Sequence, residues 1–177
     1  MAFQIILVVE SDERSRSDII YIRSVLDRYY GFRKLNDVKI SEVFMAGKGN
    51  YNKRRVTNPI ANMIKQYRSI GETIVIYCFD TDRYDSDSND KRLFDDHKKY
   101  CYDNGYEFVW FCHDIEEVFL GKSVAKSEKG DKAIQYTTKS GIEDIRMDRL
   151  TADEVAKGRS NLMLVLDKYL TRQGVSR

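Results

Sequence analysis

The sequence predicts an α/β protein: a Rossmann-like, mainly parallel four-stranded sheet flanked by helices. Three observations predict it. Strand-like apolar runs alternate with amphipathic, helix-like stretches along the first two thirds of the chain, the pattern of parallel strands joined by right-handed crossovers. Two of those runs, residues 3–9 (FQIILVV) and 74–79 (IVIYCF), are apolar throughout, as strands covered on both faces are. Both runs end abruptly in acid, Glu10 after the first and Asp80 and Asp82 after the second.

Taken in order, residues 3–9 form the first strand. The polar stretch 11–18 is rich in helix-capping residue types. Ile19, Ile22, Leu26 and Tyr29/Tyr30 then recur at helical spacing, with Arg23 and Asp27 on the opposite face and Gly31 as a suitable C′ residue. Residues 38–45 alternate apolar and polar, which predicts a second, less buried strand. The stretch 46–58 (AGKGNYNKRRVTN) reads as a basic loop. Pro59 suits the first turn of a helix with Ile60, Met63, Ile64 and Tyr67 inward and Gly71 at its exit.

The run 74–80 is the third strand. Asn89 or Asp90 would cap a helix that turns Leu93, Phe94, His97 and Cys101 inward, and Asn104-Gly105 stops it. Residues 106–112 (YEFVWFC) form a fourth strand, followed by the segment DIEEVFLG at 114–121. Residues 122–139 are lysine-rich and without apolar period, and Lys122, Lys126, Lys129 and Lys132 read as a solvated loop. Thr151-Ala152-Asp153-Glu154 is a capping box that would open a helix with Val155, Leu162, Val165, Leu166 and Tyr169 on its core face. The organisation expected is an α/β core over 1–121, with a basic loop and C-terminal helix over 122–177 packed on it.

A chain of 177 residues can bury a real core as one domain. Lys plus Arg number 30 against 28 Asp plus Glu, so net charge excludes neither nucleic acid nor an acidic partner. Cys78, Cys101 and Cys112 lack metal-like spacing and fit reduced core thiols of a cytoplasmic protein. No apolar run approaches the ~18 residues of a membrane-spanning helix, and the basic region of a signal peptide is missing from the start, so no membrane partner is expected.

In a parallel sheet all strand ends point the same way. Glu10, Asp80, Asp82 and Glu116/Glu117 therefore gather at the carboxyl edge, where ligand sites form in open α/β sheets. Carboxylates held close repel one another unless a cation lies between them, and Mg²⁺, with Mn²⁺ as a substitute, suits an all-oxygen donor set. Lys48, Lys53, Arg54 and Arg55, with Tyr51 among them, follow a strand to the same edge and suit a phosphate backbone with a stacked base. Any one acid after a strand is often a cap or turn residue; the combination is what points to a metal.

Other readings fit less well. Residues 85–89 open like a calcium loop, but Asp90 and Asp96 stand where its glycine and glutamate belong. Haloacid-dehalogenase-type phosphatases carry their Asp-x-Asp on the first strand, whereas here it is mid-chain. A response-regulator receiver needs a hydroxyl where Cys112-His113 stands. His97 reads as a core histidine, and His113 as a turn residue beside the acids.

A glutamate closing the first strand (VVES) and an Asp-x-Asp closing the third (CFDTD) resemble the Toprim domain of topoisomerases, primases and overcoming-lysogenisation-defect nucleases. The segment DIEEVFLG is similar to the stretch after strand four in nuclease-type and RloB-like Toprim proteins of phage defence. The resemblance covers about residues 3–121. It implies Mg²⁺-dependent phosphodiester chemistry on DNA or RNA, with Glu10 as general acid/base or metal ligand, Asp80 and Asp82 holding the ion, and Glu116 or Glu117 serving a second metal. A separate ATPase or partner protein and a homodimer are compatible with it. The alternative is a catalytically silent Toprim-like module that binds nucleic acid or a partner protein. Many Toprim domains have Gly after the first glutamate; here Ser11 stands there.

Overall fold

The structure is a computed structural model and describes residues 2–32 and 36–173. Four strands, β1 (Phe3–Val9), β2 (Val38–Phe44), β3 (Glu72–Asp80) and β4 (Glu107–Phe111), form one parallel sheet in the order β2-β1-β3-β4. The crossover helices are α1 (Ser17–Tyr30), α2 (Arg54–Tyr67) and α3 (Ser88–Asp103). Strand alternation divides the core. Ile5, Leu7 and Val9, with Ile74, Ile76 and Cys78, pack against α1 on one face; Ile6, Val8, Val75, Tyr77 and Phe79 pack with Val56, Ile60 and Cys101 on the other. The chain thus leaves β1 and β3 towards opposite faces. That opens a crevice at their carboxyl ends, the switch point of an open parallel sheet.

All three cysteines are buried and free, and His97 is a core residue at 1% exposure. Gly31 closes α1 with φ 59°, its N–H donating to the Leu26 carbonyl. Among the described residues no helix is long and apolar enough to cross a membrane.

Several expectations are corrected. Helix α2 begins at Arg54, so Pro59 lies within it and Arg54 and Arg55 leave the expected loop. Val56, fully buried one turn before Ile60, extends the apolar stripe backwards and draws the start with it. The cap of α3 is Asp87, which accepts from the N–H groups of Asn89 and Asp90. The expected loop at 122–139 contains helix α5 (Lys129–Thr138), after a short helix α4 (Ile115–Leu120) capped by Asp114. Only Ala133 and Tyr136 of α5 are buried, too few apolar positions to display a helical period.

The capping box at 151–154 opens no helix. Residues 158–161 instead run along the outer edge of β4, and only the short helix α6 (Leu162–Leu166) follows. Phe111 bridges Ser160 antiparallel, and the Cys112 N–H donates to the Arg159 carbonyl at 3.0 Å. Asn161 stands in for a strand residue: its Oδ1 accepts the Trp110 N–H at 2.9 Å and its Nδ2 donates to the Phe108 carbonyl at 2.9 Å. Leu162, Met163 and Leu166 join Ala133 and Tyr136 in the same core as β1 and α1.

Candidate functional site

Strand ends and helix starts bring the predicted acids to the crevice between β1 and β3. Glu10 reaches across it, its Oε1 accepting the Asp80 N–H at 2.8 Å. Asp80 in turn accepts the Ile115 N–H at 3.0 Å through Oδ1, which ties β3 to the start of α4. Glu116, the second residue of α4, is fully buried. Lys129 at the start of α5 sets its Nζ 2.8 Å from Glu116 Oε2 and 3.9 Å from Asp80 Oδ2. Lys129 is the group that answers the buried Glu116 carboxylate, holding its pKa down against the effect of burial.

Sequence reasoning missed two members of this cluster. Asp18, in the first turn of α1, is buried and accepts the Ser11 N–H at 2.9 Å and the Ser17 hydroxyl at 3.1 Å. Its position matched a helix-capping residue, which hid it. Lys129 was hidden by the aperiodic lysine-rich segment; the spacing Lys129, Ala133, Tyr136 is the signal that an inward helix face existed. Ser11 is accommodated without glycine's freedom, because its backbone is outside the left-handed region.

Asp82 lies on the outer side of the cluster in the left-handed region, with φ 46°. Its carboxylate is ion-paired with Lys48, whose Nζ is also 3.5 Å from Asp90. Lys48 therefore turns into the acidic edge. Glu117 faces elsewhere: His113 Nδ1 is 3.1 Å away and Lys157 Nζ 3.4 Å, while His113 Nε2 is 3.2 Å from Asp85. Of the expected ligands, Glu10, Asp80 and Glu116 come together, Asp82 adjoins them, and Glu117 stands apart. With the lysines in these positions, no three His, Cys, Asp or Glu side chains among the described residues converge on one ion.

The electrostatics follow from this crowding. Burial, then the Asp18 charge, pushes the Glu10 carboxyl up to about 8, although the Asp80 N–H and Lys48 oppose the shift. Burial also raises Asp80 well above the usual carboxylate range, with Glu10 and Asp18 adding to it; burial raises Asp18 and Glu116 likewise. For Lys129, burial disfavours the ammonium, but Asp80 and Glu116 outweigh it and the pKa rises.

A stability test follows. Glu10 holds its proton more tightly folded than unfolded, so its favourable contribution is complete below about pH 4.5 and is lost as pH rises through about 8. In a metal-free buffer Glu10→Gln should therefore melt above the parent chain at pH 9, by roughly 2–6 °C, and the gap should close towards pH 5. Equal melting temperatures at pH 9 would contradict the buried, crowded glutamate.

Backbone strain concentrates at the same edge. Of the four non-glycine residues with positive φ among those described, Arg16, Ala46 and Asp82 follow β1, β2 and β3 in turn. Conformations of this kind cost roughly 1–3 kcal/mol each and collect at functional sites. Lys53, Arg54 and Arg55 are exposed at the start of α2, which has no acidic residue in its first turn and no side-chain cap. The positive pole of a helix favours anions, so three cations there are unfavourable until an anion arrives.

No protein-family model, curated protein or solved structure matches the chain.

Proposed function

We propose that this protein is a Toprim-type, divalent-cation-dependent nuclease that cleaves phosphodiester bonds of nucleic acid, in keeping with a role in phage defence. The observation that carries the reading is the charge imbalance at the switch point. Glu10, Asp18, Asp80 and Glu116 are gathered there against the single ammonium of Lys129, while Lys48 is engaged by Asp82 and Asp90. Such a cluster is relieved by protons or by a cation.

The donor chemistry suits Mg²⁺ or Mn²⁺, because every group at the edge is a carboxylate oxygen, although the acids would have to close on an ion from their present positions. Glu10, Asp80 and Asp82 would hold the ion, with Glu116 and Asp18 behind them. Bound there, the ion supplies Lewis acidity towards a phosphoryl oxygen and lowers the pKa of a water. The chain's own groups do the rest. Glu10, oriented by the Asp80 N–H, is the general acid/base, free to accept a proton once a bound cation offsets its burial; Lys48 and Lys129 offer charge to phosphate; Lys53, Arg54 and Arg55 hold the strand.

The test is cleavage of single- and double-stranded DNA and of RNA in Mn²⁺ or Mg²⁺, with EDTA as control. Cleavage that EDTA abolishes is expected, and intact substrates throughout would sink the reading. Backbone contacts are tested separately. Lys53→Ala with Arg54→Ala should flatten the slope of log affinity against log salt by about 1.5, the release of roughly two counterions. An unchanged slope would remove the α2 start from the interface. The second reading, a catalytically silent binding module, is favoured by the lysines that already engage the acids, and predicts binding in EDTA with no cleavage under any ion.

A further inference from the structure

Beside Glu10, at the carboxyl ends of β1 and β2, lies an open cleft of about 660 Å³ that the predicted carboxylate site does not use and that shares Arg55 with the basic start of α2. It is joined to the acidic edge through main chain. The Gly47 N–H donates to the Glu10 carbonyl at 2.9 Å and the Ala46 N–H to the Ser11 carbonyl at 3.4 Å, with Ala46 and Gly47 both at positive φ. Phe44, Pro59 and Met63 make its apolar surface, and Arg14 and Arg55 also line it.

The charges of the lining decide what it fits. Glu42 is already ion-paired with Arg16, just before α1, and with Arg23 within it. Asp12 caps its own turn, its Oδ1 accepting the N–H groups of Arg14 and Ser15 at 2.8 Å each. The Arg55 guanidinium donates to the Met45 carbonyl at 3.1 Å and has no carboxylate ion pair among the described residues. Two guanidinium groups over an apolar surface suit a planar heterocycle bearing a phosphate: the ring and thioether take the flat face, and the planar donors take phosphate oxygens. The lining holds the carboxylates of Asp12, Glu13 and Glu42 against Arg14 and Arg55, and only the pairing of Glu42 with Arg16 and Arg23 brings the surroundings near charge balance, which disfavours a polyphosphate. The volume is that of a small-ligand site, whose usual range is ~300–1,000 Å³.

We infer that this cleft is a nucleotide subsite, taking the base and sugar of the residue next to the scissile phosphate while Arg14 and Arg55 hold that residue's own phosphate. It rests on the reading of the adjoining edge as a nucleic-acid site, and deepens it: the substrate must present an unpaired base there.

The experiment is a titration, followed by amide chemical shifts, of the full chain carrying Asp80→Asn, in EDTA. The probes are 5′-AMP, 5′-UMP, ribose 5-phosphate and inorganic phosphate. The nucleotides should saturate at least about tenfold more tightly than ribose 5-phosphate. Met63→Gln, which adds no charge, should abolish that advantage yet spare phosphate binding, and Arg55→Ala should weaken every probe. Should Met63→Gln fail to fold, Arg55→Ala decides alone. Absence of saturable nucleotide binding, or nucleotide binding indifferent to the folded variants, overturns the subsite. Nucleotide binding without cleavage of any polymer leaves the subsite standing and removes the nuclease; cleavage without nucleotide binding removes the subsite alone.

Discussion

Asp80→Asn should lower the rate of Mn²⁺-dependent cleavage by about three orders of magnitude, the loss expected when an ion worth several kcal/mol in the transition state loses its central carboxylate. The substitution suits the question because the amide oxygen can still accept the Ile115 N–H and hold the start of α4. It also removes one charge from a cluster whose members raise one another's pKa, so the variant should melt at or above the parent temperature. The stabilisation that Mn²⁺ gives the parent chain in a thermal-shift titration should vanish. A variant that cleaves within about threefold of the parent would take the ion away from Asp80 while leaving the cleavage itself to be carried by other groups.

Lys129→Ala should destabilise the fold by about 3 kcal/mol, because removing one partner of a buried pair leaves Glu116 charged and uncompensated. For a chain of this size that corresponds to a fall in Tm of roughly 6–12 °C. Adding Glu116→Gln should restore most of it. A fall that Glu116→Gln leaves untouched would mean that the packing of α5, rather than the ion pair, carries the effect. Divalent ions should stabilise Lys129→Ala more than the parent, because the ammonium and the ion compete for the same oxygens.

The sheet and the acids at its edge were legible because their signals are local. An apolar run that stops at Glu10 or Asp80 reads the same in isolation as in the fold. Lys129 and Asp18 were not, because each matters only through residues far along the chain: Lys129 faces Glu116 and Asp80, and Asp18 faces Ser11 and the crevice. Helix α5 was hidden for the same reason, since one of its three inward positions is the charged one. The capping box at Thr151 failed for the converse reason. Its local preference is genuine, but pairing along β4 outweighs it, and Gly158 at φ 66° turns the chain into that pairing. The direction of Glu117, towards His113 rather than Asp80, depends on which face α4 presents, and one helical turn does not declare a face.

The plug formed by Ser160 and Asn161 has a consequence for how the protein is made. When β4 has left the ribosome the sheet has all its strands, but β4's outer row of amides and carbonyls has nothing to bond until a segment far downstream arrives. During that interval the nascent chain carries an unprotected strand border, the element that most readily recruits a neighbouring chain. Asn161, whose side chain takes up the Trp110 N–H and the Phe108 carbonyl, is thus the residue that most directly closes that border once it arrives.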